Sequence, residues 1–259
     1  MKLFILHITL LIFIVRINGI AQDVQFSQFY SNSLYLAPSF AGVAQKDRLS
    51  LSYRQQWPSI ANGFTSVSFS YDHEFEKINS GLGILALSDR AGSGYLGYTN
   101  LGVVYSYDIQ VTRSFHIRPG MQFLYTQRTL DFEKLDFKSE IVGSGLSNFD
   151  DYYLEQARSK VGDVDFSMSA LAYANNFWFG FTVDHLLRPN QSLYFREKSS
   201  RNKALTPIKY STFGGMKFII KQELLRPKPT SLTVSYLYRQ QSIYKQLDFG
   251  VYYHREPLV

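Results

Sequence analysis

After a short leader segment, residues 22–45, the dominant period of hydrophobic and polar residues is two. Leu49, Leu51 and Tyr53 alternate with Ser50, Ser52 and Arg54, and Val67, Phe69 and Tyr71 alternate with Ser66, Ser68, Ser70 and Asp72. Leu101, Val103, Tyr105, Tyr107 and Ile109 share one face. Phe115, Ile117, Met121, Phe123 and Tyr125 share another, opposite His116, Arg118, Gln122 and Thr126. Val164, Phe166, Met168 and Ala170 oppose Asp165, Ser167 and Ser169. The same writing returns at Phe177, Phe179, Phe181 and Val183, at Leu232, Val234, Tyr236 and Tyr238, and at Leu247, Phe249, Val251 and Tyr253. Period two is the signature of a strand with two unlike faces. With a Gly-rich stretch at 81–88 and a weaker one at 210–220, it predicts about ten strands of roughly ten residues, the length of a tilted membrane strand. The second face is small and polar. A soluble sandwich also alternates, but its strands are usually only about five or six residues long. The predicted fold class is all-β, an antiparallel transmembrane β-barrel over residues 46–259.

The connections are unequal. Short links fall near 74–80, 110–114, 175–176 and 240–244, and longer ones near 89–94, 131–161 and 187–207. Short periplasmic turns opposite long external loops have this look. The longest, 131–161, holds Asp150, Asp151, Tyr152 and Tyr153 and is the expected recognition element, lumen plug or tolerated loop.

The first 21 residues read as an export signal. Lys2 precedes an apolar run from Leu3 to Val15, and Gly19 and Ala21 occupy the −3 and −1 positions of a signal-peptidase site. The run is shorter than the roughly 20 residues a membrane helix needs. Cleavage leaves Gln22 as the mature start, followed by a leader, residues 22–45, expected on the periplasmic side.

Composition refines this picture. Aromatics make up 16% of the 259 residues, as suits rings placed at both membrane interfaces. The mean hydropathy of −0.15 is too low for a bundle of membrane helices but allows a barrel, where only alternate residues meet lipid. The absence of cysteine excludes disulfides, a thiol nucleophile and a lipoprotein anchor. The net charge of +6 is scattered rather than gathered in a stripe, which argues against a nucleic-acid partner. His73, His116, His185 and His254 form no metal or catalytic motif, and no G-x-S-x-G occurs. No catalytic, cofactor-binding or metal-binding residues are therefore assigned.

The leader has its own physics. Pro38 and Gly42 punctuate it. Phe26, Phe29, Tyr30, Tyr35 and Phe40 are too apolar for a free tail, so the leader is expected to pack into the periplasmic mouth or the lumen. Trp57, before Pro58, ends the first strand and suits an interfacial girdle. Arg54 points inward, where it could pair with Asp72 on the next strand. For these residues barrel plugging and folding is favoured over partner contact.

Gln25, Phe26, Ser27, Gln28, Phe29 and Tyr30, then Pro38, Phe40 and Gly42, then Tyr53, Arg54 and Trp57, resemble the opening of the PorP/SprF family of Bacteroidetes. That family opens with Q-F-S-Q-Y-Y-like, N-P-A-F-A-G-like and Y-R-x-Q-W segments. Here Ala37 replaces the usual Asn, Ser39 the Ala, and Phe29 a Tyr. The resemblance implies an outer-membrane protein of the type IX secretion system and gliding motility. It implies a non-enzymatic role in secreting large surface proteins, such as adhesins, or holding them at the cell surface. Implied partners are outer-membrane lipid, a secreted protein with a type IX C-terminal signal, and other secretion or gliding components. A small-solute channel and a lipid-modifying enzyme remain the alternatives. Family members run on with a further W-Y-R-like strand and a C-terminal G-S-H-E-like strand. A barrel missing its last strands, with two unpaired edges, is therefore the expectation.

Overall fold

The computed structural model of the chain describes residues 23–26, 28–59, 63–92, 96–131, 159–193, 204–221 and 230–255. The expected signal peptide, Ser27 and most of the 131–161 loop lie outside them. The strands are β1 (Arg48–Gln56), β2 (Phe64–Phe75), β3 (Ser80–Ala91), β4 (Leu96–Tyr107), β5 (Ile109–Gln110), β6 (Phe115–Thr129), β7 (Lys160–Ala174), β8 (Phe177–Asp184), β9 (Lys209–Lys221), β10 (Thr230–Gln241) and β11 (Tyr244–His254). They form one antiparallel sheet in sequence order, with the two-residue β5 set beside β6. The ten long strands match the periodicity.

The sheet is inside out by the standard of a soluble protein. Ser66, Ser68, Ser70 and Asp72 of β2 are buried, as are Arg118, Gln122 and Thr126 of β6 and Asp165, Ser167 and Ser169 of β7. Their apolar neighbours face outward, up to 69% exposed at Leu51 and 72% at Phe249. A continuous apolar exterior is unfavourable in water and favourable in lipid. Val103 sits in this band, between Ile84 and Phe123 on the adjoining strands, and all three are exposed. Val103→Arg is expected to cost about 2–4 kcal/mol in vesicles, and Val103→Leu close to nothing. The urea midpoint reads the difference; equal midpoints would mean that this face does not meet lipid.

One predicted strand is split. The face running from Leu101 to Ile109 breaks at Asp108, separating β4 from β5. The β4–β6 ladder stops at Ser106↔Gly120 and resumes in β5 at Ile109↔Ile117. Pro119 lies opposite the gap. It has no N–H to donate, so an unbroken ladder cannot form there.

Connections alternate between two ends. β1, β3, β6, β8 and β10 finish at one end, the loop end; β2, β4, β7 and β9 finish at the other, the turn end. The short 240–244 link, grouped above with the short links, therefore sits among the long loops. Strand parity decides this, and link length does not.

The first and last strands are not hydrogen-bonded to each other among the described residues. Both nevertheless reach the same segment. The Ser50 hydroxyl of β1 donates to the Ser31 carbonyl at 2.8 Å, and the Tyr30 ring meets Tyr252 of β11 edge-on at 4.3 Å. The sheet thus coils round the leader until its two ends flank adjoining leader residues.

Candidate functional site

The leader occupies the lumen, one of the two placements its aromatics allowed, and runs from the loop end to the turn end. It turns through short helical pieces at Phe29–Ser31, Ser33–Leu36 and Pro38–Phe40. Leu34, Ala37 and Ala41 are fully buried. Ala37 packs with Leu171, Phe213 and Leu237 of β7, β9 and β10. These inward-facing apolar residues depart from the polar inner face where the leader covers them.

Polar contacts fix the segment along its length. At the loop end, Asp23 accepts from Lys209 at 2.6 Å, His185 at 2.9 Å and Gln241 at 3.3 Å. Arg54 donates to the Gln25 carbonyl. Midway, the Ser39 N–H donates to Ser169 Oγ at 2.7 Å. At the turn end, the Ala41 carbonyl accepts from Arg118 at 2.9 Å and Ser106 at 2.7 Å, and the Gly42 N–H donates to Asp72 at 2.8 Å.

Two glycines let the leader approach this closely. A Cβ on Gly81 would lie 2.3 Å from the Ala41 carbonyl oxygen, and one on Gly120 would lie 2.3 Å from the Ser39 nitrogen. Backbone cannot move aside as a side-chain tip can. Gly120→Ala should therefore cost about 1–3 kcal/mol through overpacking. The urea midpoint tests this, and a wild-type value would mean that the leader does not press on the wall there.

The Asp23 latch is ionic. Burial alone would raise its carboxyl pKa, but Lys209 and His185 override burial and hold it well below the usual carboxylate range. Burial opposes charge on His185, yet Asp23 and Asp165 together push it up to about 10. Its Nδ1 faces Asp165 at 2.5 Å and its Nε2 faces Asp23 at 2.9 Å. Both nitrogens donate, so His185 is a cation at neutral pH with no lone pair left to act as a base.

The turn end carries a second charge cluster. Arg118 meets Glu74 at 2.6 Å and Asp108 at 3.7 Å, and Arg48 meets Asp72 at 2.9 Å. His116 and Tyr173 close on Asp108, each at 3.0 Å. Asp72 is therefore served by Arg48. The expected pairing with Arg54 fails because the register sets Arg54 opposite Ser66, six residues away, or about 20 Å along the strand.

The other motif residues divide into two groups. Phe26 is buried edge-on to Tyr35 at 5.7 Å, Gln28 closes a turn with Ser31, Pro38 is buried, and Phe40 lies against Phe213 at 5.2 Å. Tyr53 faces away from the lumen at 65% exposure, and Trp57, just beyond β1, is 54% exposed. Trp57 stands at the loop end against Phe64. Asp23, Arg48, Arg118, Asp165, His185 and Lys209 were not singled out as site residues. For all but Asp23, which lies in the leader, the signal was charge in the polar phase of, or next to, an alternating strand.

The motif residues and the charges that clasp them span most of the chain, and so does the match to a family model. Residues 18–258 match the model described as Type IX secretion system membrane protein PorP/SprF. No curated protein and no solved structure matches the chain. The chain belongs to the PorP/SprF family of type IX secretion system membrane proteins.

Proposed function

We propose that the protein is a non-enzymatic outer-membrane component that assists the secretion or surface attachment of large type IX-secreted proteins, such as gliding adhesins. The observation carrying this reading is a lumen filled by the chain's own leader. A barrel packed in this way is poorly built to pass solutes, which leaves its mouth and rim as contact surfaces. The long links then face the exterior and the short turns the periplasm, the usual arrangement of outer-membrane barrels. Both nitrogens of the buried His185 meet carboxylates, Asp165 and Asp23, so this histidine is placed as a structural cation rather than as the base of a hydrolase. Capture of the tagged protein from outer membranes should recover a large secreted surface protein. Recovery of none, with the barrel intact in that fraction, would remove the proposed role. The channel reading requires steady conductance from the unmodified protein.

A further inference from the structure

The loop-end mouth holds a cavity of about 450 Å³ beside Asp23, within the size range of sites that bind small ligands. One transverse row of inward residues crosses its wall. Ser66 of β2 pairs with Asp89 of β3, Asp89 with Tyr98 of β4, and Tyr98 with Arg128 of β6. Neighbouring strands lie about 4.8 Å apart, so Asp89 and Arg128 present opposite charges about 10 Å apart. Phe64, Leu96 and Leu205 add an apolar lining.

Arg128 differs from the other inward arginines. Arg48, Arg118 and Arg239 each meet a carboxylate, and Arg54 holds a leader carbonyl. The Nε of Arg128 is buried without a hydrogen-bond partner, as are those of Arg118 and Arg239, but Arg128 alone of the three has no ion pair among the described residues. Asp89 accepts the Ser66 hydroxyl at 2.5 Å and has no cationic partner among those residues. The charge of Asp23 is already matched by Lys209 and His185. In this row, therefore, Arg128 and Asp89 carry opposite charges with no ionic partner among the described residues.

We propose that this cavity binds a short extended peptide segment bearing both charges. A carboxylate meets Arg128, a lysine or amine meets Asp89, and an apolar side chain covers Phe64, Leu96 and Leu205. Alternate residues of an extended peptide lie about 7 Å apart on one face, and their side chains can span the remaining distance. A phosphate fits less well. It calls for several donors around two charges, and here a single guanidinium shares its row with a carboxylate. The biological meaning of the site rests on the secretion reading, but its test does not.

The probe is an end-capped glycyl-lysyl-phenylalanyl-glutamyl-glycine peptide with a fluorophore on a neutral linker, read by polarisation against the full chain in micelles. It should bind at least tenfold more tightly than a control with glutamine at both charged positions. Arg128→Gln and Asp89→Asn should each weaken it about tenfold, because each removes one charge-assisted contact. Both variants should keep the wild-type urea midpoint, since neither residue supports a structural ion pair. Equal affinity for both peptides, or for wild type and variants, would overturn the proposal. So would displacement of the peptide by equimolar pyrophosphate, which would mark a phosphate site. Loss of cargo co-purification with peptide binding intact would remove the secretion role and leave the site standing.

Discussion

Arg118→Leu is expected to destabilise the protein by about 3–5 kcal/mol, the usual range when one partner of a buried ion pair is removed. The side chain is fully buried and spends its donors on three elements. Nη2 donates to Glu74 of β2, Nη1 to the Ala41 carbonyl of the leader, and Nε faces Asp108 at 3.7 Å between β4 and β5. Leucine would fill much of the space and leave two carboxylates and a carbonyl short of a cation. Arg118→Lys should be milder but still costly, because a compact ammonium cannot reproduce the planar fork. Glu74→Gln/Arg118→Leu should recover part of the loss by removing one stranded charge. The measurement is the urea midpoint in micelles, followed by tryptophan fluorescence. An Arg118→Leu midpoint within about 0.5 kcal/mol of wild type would show that the cluster is not closed as described.

Removing the leader should convert a silent barrel into a conducting one. The inner wall beneath it is largely serine, threonine and charged groups, a wetting surface once uncovered. Wild type should give a flat trace in planar bilayers, and a chain lacking residues 23–42 should give discrete open steps. The excised leader also carries buried Leu34, Ala37 and Ala41, so the shortened chain could fail to fold. A protease site inserted at the exposed Lys46 avoids this, because the barrel forms first and the leader is cut and washed out afterwards. Adding a synthetic leader peptide should then silence the steps. Equal conductance before and after cleavage would contradict a plug, and steady wild-type conductance would favour the channel reading.

The second experiment bears on how far sequence alone can reach. The strand faces were legible because a strand's pattern is local: successive side chains point to opposite sides whatever lies beyond. Val67, Phe69 and Tyr71 needed no neighbours to be read as one face, and Arg54 was correctly turned inward. Its partner was not legible. Register depends on where a hairpin turns, and Arg48 takes Asp72 because the β1–β2 link sets Arg54 against Ser66. The break at Asp108 was equally hidden, although Pro119 was visible, because its consequence falls on a different strand.

The candidate site divides along the same line. The leader motif and its aromatic excess were readable, as was the need of those rings for cover. What the leader meets comes from β1 to β4 and β6 to β11, separated along the chain by up to 218 residues in the case of Asp23 and Gln241. Local pattern carries no information about such pairs. By itself the sequence determined an all-β chain with an apolar exterior, a polar interior and a segment unsuited to water. Only the tertiary structure decided that this segment fills the lumen, that Asp23 stands at the loop end, and that Arg128 and Asp89 stand in one row there without an ionic partner among the described residues. The physical reason is that a strand's two faces follow from its own residues, whereas the neutralisation of a buried charge depends on what the coiled sheet brings across to it.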